Sequence, residues 1–172
     1  MKSLLFLIGY RGTGKTTVAR LLAERIGWNW VDADVLLEER AGRSIRTIFA
    51  EDGEDAFRTR EAELLRELCK RERCVIATGG GVVLRSDNRS LLQDAGQVCW
   101  LQAQPVTIWQ RLQEDPTTEE RRPQLTIGGL AEIEQLLRQR EPLYRECADF
   151  IIDTEGKSPP QIVDEICEVI NG

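Results

Sequence analysis

Gly9-Tyr10-Arg11-Gly12-Thr13-Gly14-Lys15-Thr16 fits the spacing G-x-x-x-x-G-K-[S/T], a loop whose backbone wraps a chain of phosphates. The residue types follow from that task. Glycine lets the backbone turn several N–H groups towards one anion. A helix that begins at the loop presents the positive end of its dipole to the same charge. The lysine is placed to reach the β- and γ-phosphates, and the threonine hydroxyl to hold Mg²⁺. The flanks supply the required setting. Ser3-Leu4-Leu5-Phe6-Leu7-Ile8 is an apolar run that reads as a buried parallel strand. Residues 17–26 read as a helix with Val18, Leu21, Leu22 and Ile26 on one stripe and Gly27 as its stop. A bare β–α turn would have no use for the Lys15-Thr16 pair.

Outward from this unit, strands and helices alternate. Further strands are expected at 28–31, 74–77, 98–101 and 150–152. Helices are expected at 35–40, from near Ser44, at 54–70, at 87–94, from Pro105 to Gln113, and at 130–140. A last helix is capped by Ser158, with Pro159 at its first position and Gln161 completing a capping box. Repeated β–α units imply an α/β fold, with a parallel sheet, helices on both faces and right-handed crossovers. Ligands of such sheets bind beyond the carboxyl ends of the strands. The Gly- or Asp-rich exits at residues 9, 32 and 79 all fall there. Residues 114–129 break the pattern with Pro116, Pro123, Gly128 and Gly129. A loop this long inside a compact domain is commonly functional.

Bulk properties narrow the class. The 172 residues suit a single domain with its own core. A net charge of −6 argues against general nucleic-acid binding. No apolar run approaches a membrane span, and the chain enters its first strand too early for a leader peptide. Five widely spaced cysteines without a C-x-x-C pair suit reduced, buried thiols in a cytoplasm. Histidine is absent, which removes imidazole bases, nucleophiles and metal ligands. Lysines number four and arginines nineteen. Arginine favours bidentate capture of carboxylate or phosphate, although genomic base composition accounts for such enrichment equally well.

Five further stretches stand out. In an extended chain Asp32 and Asp34 would face the same way. They then either converge on a cation or ligand, or form a solvated turn in which one caps the next helix. Arg58, within Phe57-Arg58-Thr59-Arg60-Glu61, stands four residues after Glu54, the spacing of a surface ion pair. Thr78-Gly79-Gly80-Gly81 is either a tight turn or a place where a ligand or another backbone approaches closely. Arg121-Arg122-Pro123 is either a solvated cluster or part of a lid, and Arg140 complements a helix dipole or serves a ligand.

Taken together, the Gly12–Thr16 loop, Asp32-Ala33-Asp34, Phe57–Glu61, Thr78–Gly81, Arg122-Pro123 and Arg140-Glu141-Pro142-Leu143-Tyr144 resemble shikimate kinases, within the nucleoside-monophosphate-kinase-like P-loop group. The resemblance runs nearly end to end. It implies a P-loop three-layer sandwich with a five-stranded sheet in the order 2-3-1-4-5. It also implies one kinase domain over residues 1–172, with a core of 1–113 and 141–172 and a lid at about 114–129. The implied activity is transfer of the ATP γ-phosphate to the 3-hydroxyl of shikimate, in chorismate and aromatic amino-acid synthesis. Implied nucleotide contacts are Gly12, Thr13, Gly14, Lys15, Thr16, Thr17 and Arg122. Mg²⁺ would be held by Thr16 and, through water, Asp32. Lys15 and Asp34 are the implied catalytic residues, and Asp34, Arg58, Gly80 and Arg140 the implied shikimate contacts. The implied partners are ATP and shikimate alone, with no nucleic acid or membrane, in a cytoplasmic monomer. The rival readings are a gluconate-type or nucleotide kinase of the same group, and a non-catalytic nucleotide-binding relative.

Overall fold

The computed structural model describes residues 2–115 and 128–172. Five parallel strands form one sheet: β1 (Leu4–Ile8), β2 (Asn29–Asp32), β3 (Cys74–Ala77), β4 (Gln97–Gln102) and β5 (Phe150–Asp153). Their order across the sheet is β2-β3-β1-β4-β5, as the resemblance implied. The central strands β1 and β3 are buried at every position, which accounts for their unbroken apolar sequences. In register, Leu7 stands beside Ala77 on one side and Cys99 on the other. The chain therefore leaves β1 and β3 side by side, and the Gly9 and Gly79 exits become neighbours.

Helices α1 (Lys15–Ile26) and α8 (Pro159–Asn171) cover one face. There Val18, Leu22, Ile162 and Ile166 pack on Leu5, Leu7 and Val75. The other face carries the larger core, built by α2 (Ala33–Ala41), α3 (Ile45–Asp52), α4 (Glu54–Leu68), α5 (Ser86–Ala95) and α7 (Gly129–Cys147). Here Phe6, Ile8, Ile76 and Trp100 meet Ile48, Phe57, Leu65 and Tyr144. A third, smaller cluster joins Tyr10 to α6 (Pro105–Glu114) and α7 through Ile108, Leu112, Ile133 and Leu137. The ends of α6 and α7 bracket the expected lid. Arg121, Arg122 and most of that segment lie outside the described residues.

Two differences in helix boundaries bear on the site. Helix α1 begins at Lys15 itself, so the phosphate-loop lysine is already helical. Helix α7 runs through Pro142 to Cys147 instead of stopping near residue 140. Proline forfeits one backbone hydrogen bond there. The turn beyond it buries Tyr144 and Cys147 against the sheet, and that packing carries the helix on. Arg140 is consequently mid-helix, and the helix-dipole reading does not hold for it.

All five cysteines are free thiols. Burial pushes Cys69 and Cys147 up to about 11, from an ordinary 9.0, and pushes Cys99 up as well. The folded state therefore keeps these protons where the unfolded chain has lost them. The thiols' contribution to stability is complete below pH 9 and is lost as the pH rises from 9 towards 11. Chemical denaturation midpoints should fall over that window. Native protein should react slowly with iodoacetamide near neutral pH, because the thiolate is the nucleophile. Rapid labelling of the folded chain at neutral pH would contradict this burial.

Candidate active site

The loop after β1 is folded around its own lysine. Gly12 and Gly14 adopt φ of 80° and 90°, a region that side chains rarely tolerate, and Gly14 caps α1 without a side-chain bond. The Thr13 hydroxyl donates to the Tyr10 carbonyl at 2.8 Å. Lys15 is buried, and its Nζ donates to the carbonyls of Gly9 at 2.7 Å and Tyr10 at 2.9 Å. Gly14, Thr16 and Thr17 face solvent, so the helix N-terminus opens outwards. Arg111 of α6 was not singled out in the sequence. Its guanidinium donates to the Gly12 carbonyl at 3.3 Å and to the Thr154 hydroxyl at 3.4 Å, bracing the loop from behind. It lies ninety-nine residues from Gly12, and no local spacing signals it.

Asp32 and Asp34 do not converge. The extended-chain argument fails because α2 starts at Ala33. Asp32 is that helix's N-cap, with Oδ1 accepting from the Val35 N–H at 3.1 Å. Its other oxygen accepts from the Thr16 hydroxyl. The capping reading therefore holds for Asp32. A hydroxyl and a carboxylate oxygen are hard donors, and Mg²⁺ commonly takes one or two protein oxygens while keeping its waters and phosphate ligands. That donor pair fits the ion. Among the described residues there is no larger group of His, Cys, Asp or Glu able to hold a metal.

Asp34 turns instead towards the glycine turn after β3. A β-carbon on Gly79 would lie 2.8 Å from Asp34 Oδ1 and 2.7 Å from Glu61 Oε2. One on Gly80 would lie 3.5 Å from Nη1 of Arg140 and 3.5 Å from the Gly9 carbonyl of the phosphate loop. One on Gly81 would run into the guanidinium of Arg58. Each glycine therefore admits a different functional side chain, and any larger residue at 79 or 81 would displace one. Close approach, rather than a plain turn, explains the triplet.

Arg58 is not the surface residue that its spacing from Glu54 suggests. Its side chain is 9% exposed and Glu61's is 7%. Nη1 donates to Glu61 Oε1 at 2.8 Å, whereas Glu54 is 3.6 Å away and exposed. Helix α4 has packed Arg58 inwards over the Phe57 ring, 5.0 Å from its centroid. Arg140 lies 5.6 Å from the centroid of Tyr10, within the phosphate loop. Arg58, Arg140 and Asp34 thus approach one turn from three helices, next to the lysine cradle.

A family model described as shikimate kinase matches residues 11–171. A shikimate kinase of Rhodopirellula baltica is 44% identical over 94% of this chain and 87% of its own length. One of Nitratidesulfovibrio vulgaris is 43% identical over 96% and 94%. Among solved structures, the Acinetobacter baumannii shikimate kinase in complex with shikimate superposes with a TM-score of 0.92 at 36% identity, covering 98% of this chain and 92% of that one. The matched span takes in the lysine cradle, both aspartates, the glycine turn and both arginines, and with it the chain belongs to the shikimate kinase family of ATP-dependent kinases.

Proposed function

We propose that this chain moves the γ-phosphoryl group of ATP onto the 3-hydroxyl of shikimate, a step of chorismate and aromatic amino-acid synthesis, with the residues above in distinct roles. The observation that carries the reading is the position of Gly80. A β-carbon added there would meet both the phosphate loop, at the Gly9 carbonyl, and a cationic side chain, Arg140, in ordinary van der Waals contact. A nucleotide tail and a carboxylate-bearing acceptor would therefore meet at one turn.

In this reading the loop N–H groups from Gly12 to Thr17, with Lys15, hold the ATP phosphates. Thr16 and Asp32 would hold Mg²⁺, which supplies positive charge to the phosphate oxygens. Arg58 and Arg140 grip the shikimate carboxylate, the Gly80 backbone lies along the ring, and Asp34 orients its hydroxyls. The 3-hydroxyl oxygen forms a bond to the γ-phosphorus as the bond to the β–γ bridging oxygen breaks, its electrons leaving with ADP. The hydroxyl proton passes to Asp34 or to solvent. A loose transition state asks little of a base, so alignment and charge stabilisation dominate. Arg122 serves as the lid arginine over the nucleotide. The chain acts as one domain and as a cytoplasmic monomer on small molecules alone. None of the described helices is long and apolar enough to cross a membrane.

An acceptor panel with ATP tests the proposal. Shikimate should be phosphorylated, with gluconate and nucleoside monophosphates inert. Turnover of either of those without turnover of shikimate would overturn it, and ATP binding with no acceptor turned over would favour a non-catalytic relative.

A further inference from the structure

The glycine turn has three carbonyls, and two are tied locally. Val82 N–H donates to Gly79 O at 3.2 Å, and Leu84 N–H to Gly81 O at 3.1 Å, through the short 3₁₀ turn Val82–Leu84. The middle carbonyl is held from elsewhere. The Tyr144 hydroxyl on α7, sixty-four residues away, donates to Gly80 O in a buried contact. Tyr144 is fully buried, with its ring 5.6 Å from that of Trp100. It stands one helical turn beyond Arg140, so a single helix presents a cation and a backbone anchor to the same glycine.

Packing alone does not call for that hydroxyl, since phenylalanine would fill the same core position. The turn does call for it. A peptide between two glycines has little intrinsic preference for either orientation, and a flip would exchange its carbonyl and N–H. The peptide between Gly80 and Gly81 is trans, as throughout the described residues, so the Gly80 carbonyl and the Gly81 N–H point in opposite directions. Holding the carbonyl towards α7 keeps the N–H turned away from it. We propose that Tyr144 is a positioning residue for the acceptor site: its hydroxyl fixes the Gly80–Gly81 peptide and thereby the floor along which the acceptor's ring lies while Arg58 and Arg140 hold its carboxylate. This rests on the acceptor site proposed above. Tyr144 touches neither substrate and acts through the turn.

Tyr144→Phe tests it, because the ring remains and the fold survives loss of one hydroxyl. The KM for shikimate should rise about tenfold, the scale of one buried hydrogen bond, while the KM for ATP stays unchanged. Amide exchange at Gly81 in the unliganded protein should quicken. Trp100→Phe is the packing control. It should lower the melting temperature and leave the shikimate KM in place. An unchanged shikimate KM in Tyr144→Phe, an equal rise in both KM values, or an equal effect of Trp100→Phe would overturn the proposal. Parent protein that does not phosphorylate shikimate would instead overturn the acceptor-site reading itself.

Discussion

Replacing Lys15 with alanine should lower kcat by about a hundred- to a thousandfold, the loss seen when one preorganised charge-stabilising group is removed from a transition state. The lysine is buried and already aimed into the loop by the Gly9 and Tyr10 carbonyls. Its ammonium needs little reorganisation as negative charge grows on the transferring group and on the leaving oxygen. Ground-state ATP retains the loop N–H groups and the helix dipole, so the KM for ATP should move less than kcat. Steady-state kinetics with saturating shikimate separate the two. A variant whose kcat stays near the parent value, with only the ATP KM raised, would reduce Lys15 to a binding residue.

Arg58→Ala should act on the other substrate and on the fold together. Its guanidinium lies against Gly81 and is paired with Glu61, both side chains being nearly sealed from water. Breaking a buried pair by removing one partner costs about 3–5 kcal/mol, so the melting temperature should drop clearly. Loss of a desolvated contact to a carboxylate should weaken shikimate binding by roughly a hundredfold, within the range of truncated buried charge contacts. The two effects separate in the double variant Arg58→Ala/Glu61→Ala. Stability should partly return, because no carboxylate is then buried at that place, while shikimate affinity should stay low. Titration calorimetry and thermal melts read each effect. Parent-like shikimate affinity in a folded Arg58→Ala protein would remove the residue from the site.

The parts of this molecule that sequence conveys are those governed by local rules. The cradle is legible because strand, fixed glycines, lysine and helix lie within one β–α unit. The C-terminal helix is legible because Ser158, Pro159 and Gln161 form a complete cap, which the structure contains. Local rules mislead where tertiary packing decides. Arg58 has Glu54 four residues before it and Glu61 three after, and either spacing makes a helical pair. Only the packing of α4 against the glycine turn selects Glu61 and buries both. Asp32 and Asp34 read as one cluster under strand periodicity. The cap formed by Asp32 starts a helix at once and sends Asp34 to a different neighbour. The helix expected at 130–140 continues through Pro142, because burial of Tyr144 outweighs the missing hydrogen bond. The Tyr144–Gly80 and Arg111–Gly12 contacts join residues far apart in the chain, and no window of sequence contains them.

In the proposed reading a nucleotide cradle and a carboxylate clamp share the Gly79–Gly81 turn as one catalytic centre. A coupled assay of ADP formation, run with purified protein, ATP and Mg²⁺ in the presence and absence of shikimate, tests it most directly. ADP release should be slow without shikimate and should rise with it in a saturable manner, one shikimate 3-phosphate appearing for each ATP consumed. ADP formation indifferent to shikimate, or absent in its presence, would contradict the account.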